Sequence, residues 1–241
     1  MKQVLFIVVV CVLAGTILTS CSKNASYTPP PDTKVSFANL SARHPSLDFY
    51  GGTAQIVKVA SAINYQSVSG FTTAAATLYG VVADTAGQSD NNPVIAQLTT
   101  LGGGTANTVI VVDTSLQATR AVITTDFFTT VSADSARIRC FHFSPDAPKL
   151  DFYISSVTTP DFTRDFLFRQ NSNENVASLA FKYYLKGDYV IIAREAGTSN
   201  EVARLPVSLA GTKHYTLYSS GFLSKAGTAE GFKIGLLLQD F

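Results

Sequence analysis

Apolar residues along this chain alternate with polar ones in short runs rich in Val, Ile, Thr, Tyr and Phe. Clusters of Gly, Asn, Asp, Ser and Pro separate the runs. No window holds the three-to-four-residue apolar spacing of a helix. In the first half the pattern predicts strands near 34–40, 46–50, 54–60, 62–68, 73–83, 94–100, 107–113 and 119–125. In the second half it predicts strands near 136–143, 149–154, 163–169, 177–183, 188–195, 201–208, 213–219 and 233–238. Period-two runs punctuated in this way are the mark of an all-β sandwich.

The N-terminus breaks the pattern. Lys2 precedes a mostly apolar run, Val4 to Leu18, too short to span a bilayer comfortably and of the right length for a signal-peptide core. The run ends in Leu18-Thr19-Ser20-Cys21. This resembles the bacterial lipobox: an apolar residue, two small residues, then Cys. The resemblance implies that residues 1–20 are removed as a lipoprotein signal peptide and that the Cys21 thiol is diacylated. A third acyl chain on the new N-terminus would make a firm membrane anchor. Ser22, where Asp would retain the protein in the inner membrane, implies the outer membrane. Residues 21–33 follow as a tether stiffened by Pro29-Pro30-Pro31.

The rest of the chain is one unit written twice. Residues 35–50, VSFANLSARHPSLDFY, align with residues 138–153, IRCFHFSPDAPKLDFY. Ser41 falls on Ser144 and Pro45 on Pro148. Leu47-Asp48-Phe49-Tyr50 falls on Leu150-Asp151-Phe152-Tyr153. A weaker echo relates Val122–Phe127 to Leu236–Phe241, with insertions expected between Ser155 and Asn175. The repeat predicts two tandem sandwich domains, 34–130 and 136–241, joined by a linker at 131–135 without Gly or Pro, so that the two touch. Val35, Phe37, Leu47 and Phe49, with Ile138, Cys140, Leu150 and Phe152, should face the cores. Ser-x-x-x-Pro should make a turn. Asp48 and Asp151 are expected to point outward and accept backbone N–H bonds from that turn.

The stretch Arg137 to Tyr153, with His142-Phe143-Ser144-Pro145-Asp146-Ala147-Pro148 and Asp151-Phe152-Tyr153, resembles a bacterial envelope family known as domain of unknown function 4397. Gly187-Asp188-Tyr189 fits that family's later Gly-x-Tyr element. The first copy keeps Ser41, Pro45, Asp48 and Tyr50, but has Asn39 where His142 stands in the second. The resemblance implies an immunoglobulin-like sandwich and a cell-envelope location. It implies no activity.

Composition narrows function mostly by exclusion. The chain carries 18 Lys+Arg and 17 Asp+Glu, a net +1, which excludes the positive field that nucleic acid requires. Three Cys cannot make a disulfide framework, and three His leave little for metal or acid–base chemistry. His142, Asp146 and Asp151 flank one turn, so a carboxylate–histidine pair for hydrolysis or metal binding is the sharpest chemical option. The alternative is that His142 and Asp151 fix the turn by hydrogen bonds. The first copy keeps the Asp and drops the His, which favours a fold device over a catalytic pair. His44 and His214 stand alone in sequence, and Cys140 reads as a buried, inert thiol.

Gly102-Gly103-Gly104 reads as a hairpin turn. Phe162, Phe166 and Phe168, with Arg164 and Arg169, fit either a core or a contact surface, as do Tyr183, Tyr184 and Tyr189. Asp84-Thr85-Ala86 and Asp134-Ser135-Ala136 resemble a short O-glycosylation tripeptide, which would modify Thr85 or Ser135. No cofactor or metal is expected, and catalysis is not. The expectation is a lipid-anchored, non-catalytic binding or structural module contacting an envelope protein or surface polymer. The runner-up is a fimbrillin-like subunit donating Ile234–Leu238 as a strand to a neighbour.

Overall fold

The computed structural model describes residues 31–53, 55–75, 78–88, 93–126, 128–167 and 180–239. The expected signal peptide, Cys21, most of the tether, Phe168, Arg169 and the end of the C-terminal echo lie outside the described residues.

Residues 31–241 form one compact unit, and the regular elements of its described part are all strands, save one short 3-10 turn at Leu223–Lys225. The first half contains β1 (Thr33–Leu40), β2 (Ser46–Gly52), β3 (Val57–Asn64), β4 (Ser67–Val68), β5 (Thr72–Ala74), β6 (Leu78–Thr85), β7 (Ile95–Thr100), β8 (Ala106–Asp113) and β9 (Thr119–Asp126). The second contains β10 (Ser135–His142), β11 (Leu150–Tyr153), β12 (Phe162–Arg164), β13 (Lys182–Leu185), β14 (Gly187–Glu195), β15 (Glu201–Leu209), β16 (His214–Ser220) and β17 (Lys233–Gln239).

Two expected breaks move. The break between the strands expected at 54–60 and 62–68 is a β-bulge inside β3. Leu47 pairs with Ile63 and Phe49 with Ala60, so Ser61 and Ala62 together oppose Asp48. Ala62 takes φ 50° there. The run 73–83 is two strands, β5 and β6, which belong to different sheets.

Four sheets result. Each half has an inner sheet, β4/β5-β1-β8-β9 or β13-β10-β16-β17, and an outer sheet, β3-β2-β6-β7 or β12-β11-β14-β15. In both inner sheets the first strand of the half runs parallel to a late one, β1 beside β8 and β10 beside β16. Gly102-Gly103-Gly104 therefore carries the chain from an outer sheet to an inner one and makes no hairpin. β17 pairs with β16 along seven positions, so Ile234–Leu238 is a strand of the chain's own sheet.

Each half is sandwich-like, with a core between its two sheets. Val35, Phe37, Leu47, Phe49, Val81 and Val109 meet in the first. Ile138, Cys140, Leu150, Phe152, Ile191 and Leu217 meet in the second. These are the inward faces the sequence alternation predicts. The inner sheets are also buried on their other face: every residue of β8 and of β16 is buried. There Ala38, Leu40, Ile110, Val112 and Val122 pack against Phe141, Phe143, Tyr218 and Leu237. The layers thus run outer, inner, inner, outer. The two inner faces use corresponding positions, with Ala38 and Leu40 answered by Phe141 and Phe143 in the repeat alignment. Burying side chains of this size is worth roughly 1.5–3 kcal/mol each relative to exposure.

Among the described residues an ion pair crosses this seam. Arg139 binds Asp126 through both terminal nitrogens, and both side chains are essentially fully buried. The guanidinium also donates to Thr216 Oγ1 at 2.9 Å and Gln239 Oε1 at 3.0 Å. Burial pulls the Arg139 pKa down and Asp126 opposes it. Tyr65 adds a hydroxyl contact to Ser220 across the seam at 2.9 Å.

Candidate functional site

The repeated motif follows the first strand of each half, so β1 and β10 deliver its polar residues to corresponding places. In the second half His142 ends β10 and is 1% exposed. The backbone N–H of Ser144 donates to His142 Nδ1 at 3.2 Å, and Ser219 Oγ lies 2.8 Å from the same atom. Since an N–H can only donate, Nδ1 is the bare nitrogen and the proton sits on Nε2. Nε2 then donates to the Pro148 carbonyl at 2.9 Å.

Asn39 performs the same task in the first half. Its Oδ1 accepts from the Ser41 N–H at 3.1 Å, and its Nδ2 donates to the His44 carbonyl at 2.7 Å. An amide presents one acceptor and one donor in nearly the arrangement of a neutral Nε2–H imidazole. The loss of the histidine from the first copy is therefore a substitution of equivalents.

Asp48 and Asp151 also correspond. The expectation that they point outward is corrected: they are 3% and 6% exposed. Their N–H donors come from neighbouring hairpins rather than from the Ser-x-x-x-Pro turn. Asp48 accepts from Gly87 N at 3.1 Å, and Asp151 from Gly197 N at 3.0 Å. Asp48 also accepts from Ala62 N in the bulge and from Lys58 Nζ at 2.7 Å. The Lys58 bond is the largest influence holding the Asp48 carboxyl below its ordinary pKa. Asp151 takes the Thr163 hydroxyl. A charged group is tolerated in a β core only when its lone pairs are filled in this way.

The turn itself is tied to the loop beside it by a carboxylate that changes sides. In the first half Asp113, at the end of β8, accepts from Ser41 Oγ at 2.5 Å and Ala42 N at 2.8 Å. In the second the carboxylate is in the turn: Asp146 accepts from Leu223 N at 2.7 Å and Ser224 N at 2.8 Å. Burial raises the Asp113 pKa. Burial pushes Asp146 upward too, but the Ser224 hydroxyl and the two N–H groups prevail and lower it. Pro45 offers its carbonyl to Tyr65 N at 2.8 Å. Tyr50 lies beneath Lys58 and Tyr153 beneath Arg194.

The Asp151 carboxylate receives the Thr163 hydroxyl and the Gly197 N–H, and the His142 ring is held by Ser144, Ser219 and Pro148. Among the described residues no cluster of three or more His, Cys, Asp or Glu is arranged to hold a metal. Cys140 is fully buried, and burial pushes its pKa far up. Phe162, Phe166 and Tyr184 are buried, whereas Tyr183 is exposed. Thr85 ends β6 and Ser135 opens β10, both half-buried.

His44 does not stand alone. Its Nε2 is 3.3 Å from Thr119 Oγ1, which also reaches Asp113 and Arg43. Burial lowers its pKa. Sequence spacing cannot find this group, because β9 supplies Thr119 from far along the chain.

The sequence profile of the family described as domain of unknown function (DUF4397) matches residues 33–153. The chain belongs to the DUF4397 family. The match spans the first half of this DUF4397 protein and continues through β10 and β11, taking in both copies of the motif. No curated protein matches the chain. Among solved structures, the Bacillus anthracis TIE protein aligns at 12% identity with a TM-score of 0.26. That alignment covers 78% of this chain and 33% of the other, so the DUF4397 protein spans about a third of that chain's length. The family CBM26 module CBMbc of Eubacterium rectale Amy13K, solved with maltoheptaose, aligns at 11% identity with a TM-score of 0.24, covering 85% and 96% of the two chains.

Proposed function

We propose that this DUF4397 protein is a lipid-anchored, non-catalytic binding or structural module of the bacterial cell envelope. Residues 1–20 are its lipoprotein signal peptide, Cys21 its acylation site and the outer membrane its location. Residues 34–130 and 136–241 are two immunoglobulin-like sandwiches, the second a further copy of the family domain. The lipobox-like Leu18-Thr19-Ser20-Cys21 after an apolar core supports the anchor.

One observation carries the non-catalytic part of the reading. The polar residues of the repeated motif, the best candidates for chemistry in the sequence, are consumed by backbone groups of their own fold. His142 and Asn39 hold corresponding turns in the same manner, each accepting from the Ser two residues on and donating to a carbonyl of the turn, Pro148 in one half and His44 in the other. A general base must instead reach a substrate proton directly or through one water. The faces open to a partner are the outer sheets and the loops between strands, the usual places for recognition on such scaffolds. An envelope protein or a surface polymer is the partner class.

Mass spectrometry of membrane-extracted protein tests the anchor. The expected N-terminal peptide begins at acylated Cys21, and Cys21→Ala releases the protein from the membrane fraction. A water-soluble wild-type protein with an unacylated N-terminus contradicts the reading. In-cell crosslinking of the anchored protein is then expected to recover one defined envelope component.

A further inference from the structure

The two copies of the repeated motif differ in the middle of its turn. Arg43 and His44 of the first copy stand where the second has Asp146 and Ala147. In the second half the Asp146 carboxylate ties the turn to the loop beside it. In the first that task has passed to Asp113, which accepts from Ser41 Oγ and from the backbone N–H groups of Ala42 and Arg43. The Arg43 and His44 side chains are thereby released from holding the turn.

Both side chains face a cavity of about 360 Å³ at one end of the first sandwich, lined also by Thr85, Pro93, Gln117 and Thr119. At this end β1, β6 and β8 finish, and β2, β7 and β9 start. The tether joins β1 at the opposite end, where the Asp32 carbonyl accepts from Gly104 N at 3.1 Å. The eight residues of β1 put about 25 Å between the two ends. Loops at the end of a sandwich away from its attachment are placed to meet a ligand.

The lining is mostly polar and carries one full charge, that of Arg43. Arg43 Nη1 donates to Thr119 Oγ1 at 3.2 Å, which fixes the guanidinium at the cavity wall. Among the described residues no carboxylate pairs with that guanidinium, and its other N–H groups are unengaged. Asp113 stands behind Thr119 rather than in the lining, its oxygens filled by Ser41, Ala42, Arg43 N and the Thr119 hydroxyl. Burial lowers the His44 pKa, so its imidazole is neutral at neutral pH and adds hydrogen bonding without a second charge. A planar guanidinium matches a carboxylate through two parallel N–H bonds, and one positive charge balances one negative; a phosphate dianion would be left half-balanced. The Thr85 hydroxyl and the Gln117 amide can each give and take a hydrogen bond, as sugar hydroxyls require, and Pro93 offers an apolar surface to the C–H face of a ring. The volume lies within the usual range of ligand clefts, roughly 300–1,000 Å³.

We propose that this cavity binds a carboxylate-bearing sugar, a uronic-acid residue of an acidic surface polymer. The carboxylate lies against Arg43, and the hydroxyls meet Thr85, Gln117 and His44. The second half has no counterpart, because Asp146 and Ala147 replace the two key residues and Asp146 is committed to Leu223 and Ser224. This gives the binding reading above, on which it rests, a site and a ligand class.

Isothermal titration calorimetry on the detergent-solubilised full-length mature protein tests it with glucuronate, galacturonate and mannuronate. Two controls divide the ligand: the neutral amide of the same sugar keeps the ring and loses the charge, and acetate keeps the carboxylate and loses the ring. Saturable binding of at least one uronate at a single site per chain is expected, with its amide and acetate each at least tenfold weaker. Arg43→Gln should weaken that binding at least tenfold at an unchanged melting temperature, since Asp113 holds the turn through other groups. Silence from all three uronates, equal binding of the amide or of acetate, or undiminished binding by a folded Arg43→Gln variant each overturns the proposal. The wild-type arms decide the matter even if the variant fails to fold. Acylation at Cys21 and in-cell partner capture are read by their own experiments, so failure here removes this site and leaves the anchored-module reading to those tests.

Discussion

His142 and Asn39 put the fold-device reading at single-residue resolution. Replacing His142 with Ala leaves the Ser144 N–H, the Ser219 hydroxyl and the Pro148 carbonyl buried without their partner. A loss of about 2–4 kcal/mol in urea unfolding is expected. His142→Asn should recover most of it, because the first half already uses that solution. Equal losses in the two variants would contradict the equivalence. Asp48 gives a pH prediction. Its folded pKa lies below the ordinary 3.8, so its contribution is complete above that value and fades as pH falls toward the lowered one. Asp48→Asn should therefore show a shallower loss of stability than wild type below about pH 4, measured by denaturant midpoints across the acid range. The burial of Asp48 was not legible in the sequence. Period-two alternation assigns Asp to solvent, and the donors that permit its burial come from a bulge and a hairpin on other strands.

At the scale of elements, the strands were largely legible because each has a strong apolar run between turn residues. The misreadings have local causes. Ser61 reads as a break but sits in a bulge, whose extra residue aims the Ala62 N–H at Asp48. The hairpin turns after β6 and β14 carry Gly87 at φ 77° and Gly197 at φ 73°. These glycines supply the N–H groups that Asp48 and Asp151 accept. A Cβ would meet nothing within 4 Å at either glycine, so the requirement is conformational rather than steric. Gly197→Ala is expected to cost about 1–2 kcal/mol, the price of a left-handed backbone for an L-residue. Gly197→Asn should cost less, since Asn tolerates that region better. Matched thermal melts of the two variants check the order.

The whole molecule depends on the seam, which alternation alone did not reveal. A strand buried on one face and a strand buried on both differ only in their alternate positions. Here Ile110, Val112, Phe141 and Phe143 are the residues that betray a second buried face. A repeat seen in sequence implies two similar halves, yet says little about how their faces meet. The seam also breaks the repeat where an identical pair would fail: Arg139 corresponds to Ser36, so only one half supplies the guanidinium and only one the carboxylate it binds. Removing one partner of a buried ion pair costs about 3–5 kcal/mol. Arg139→Met should leave Asp126 buried without its cation and destabilise both halves, because Asp126 belongs to the first and Arg139 to the second. The central claim is that residues 31–241 are one folded body joined through this seam. Native-state hydrogen exchange read by mass spectrometry, comparing wild type with Arg139→Met, tests it most directly. Peptides from β1, β8, β10 and β16 should lose protection together and by similar factors. Lost protection confined to β10–β17, with β1–β9 as protected as in wild type, would contradict the claim.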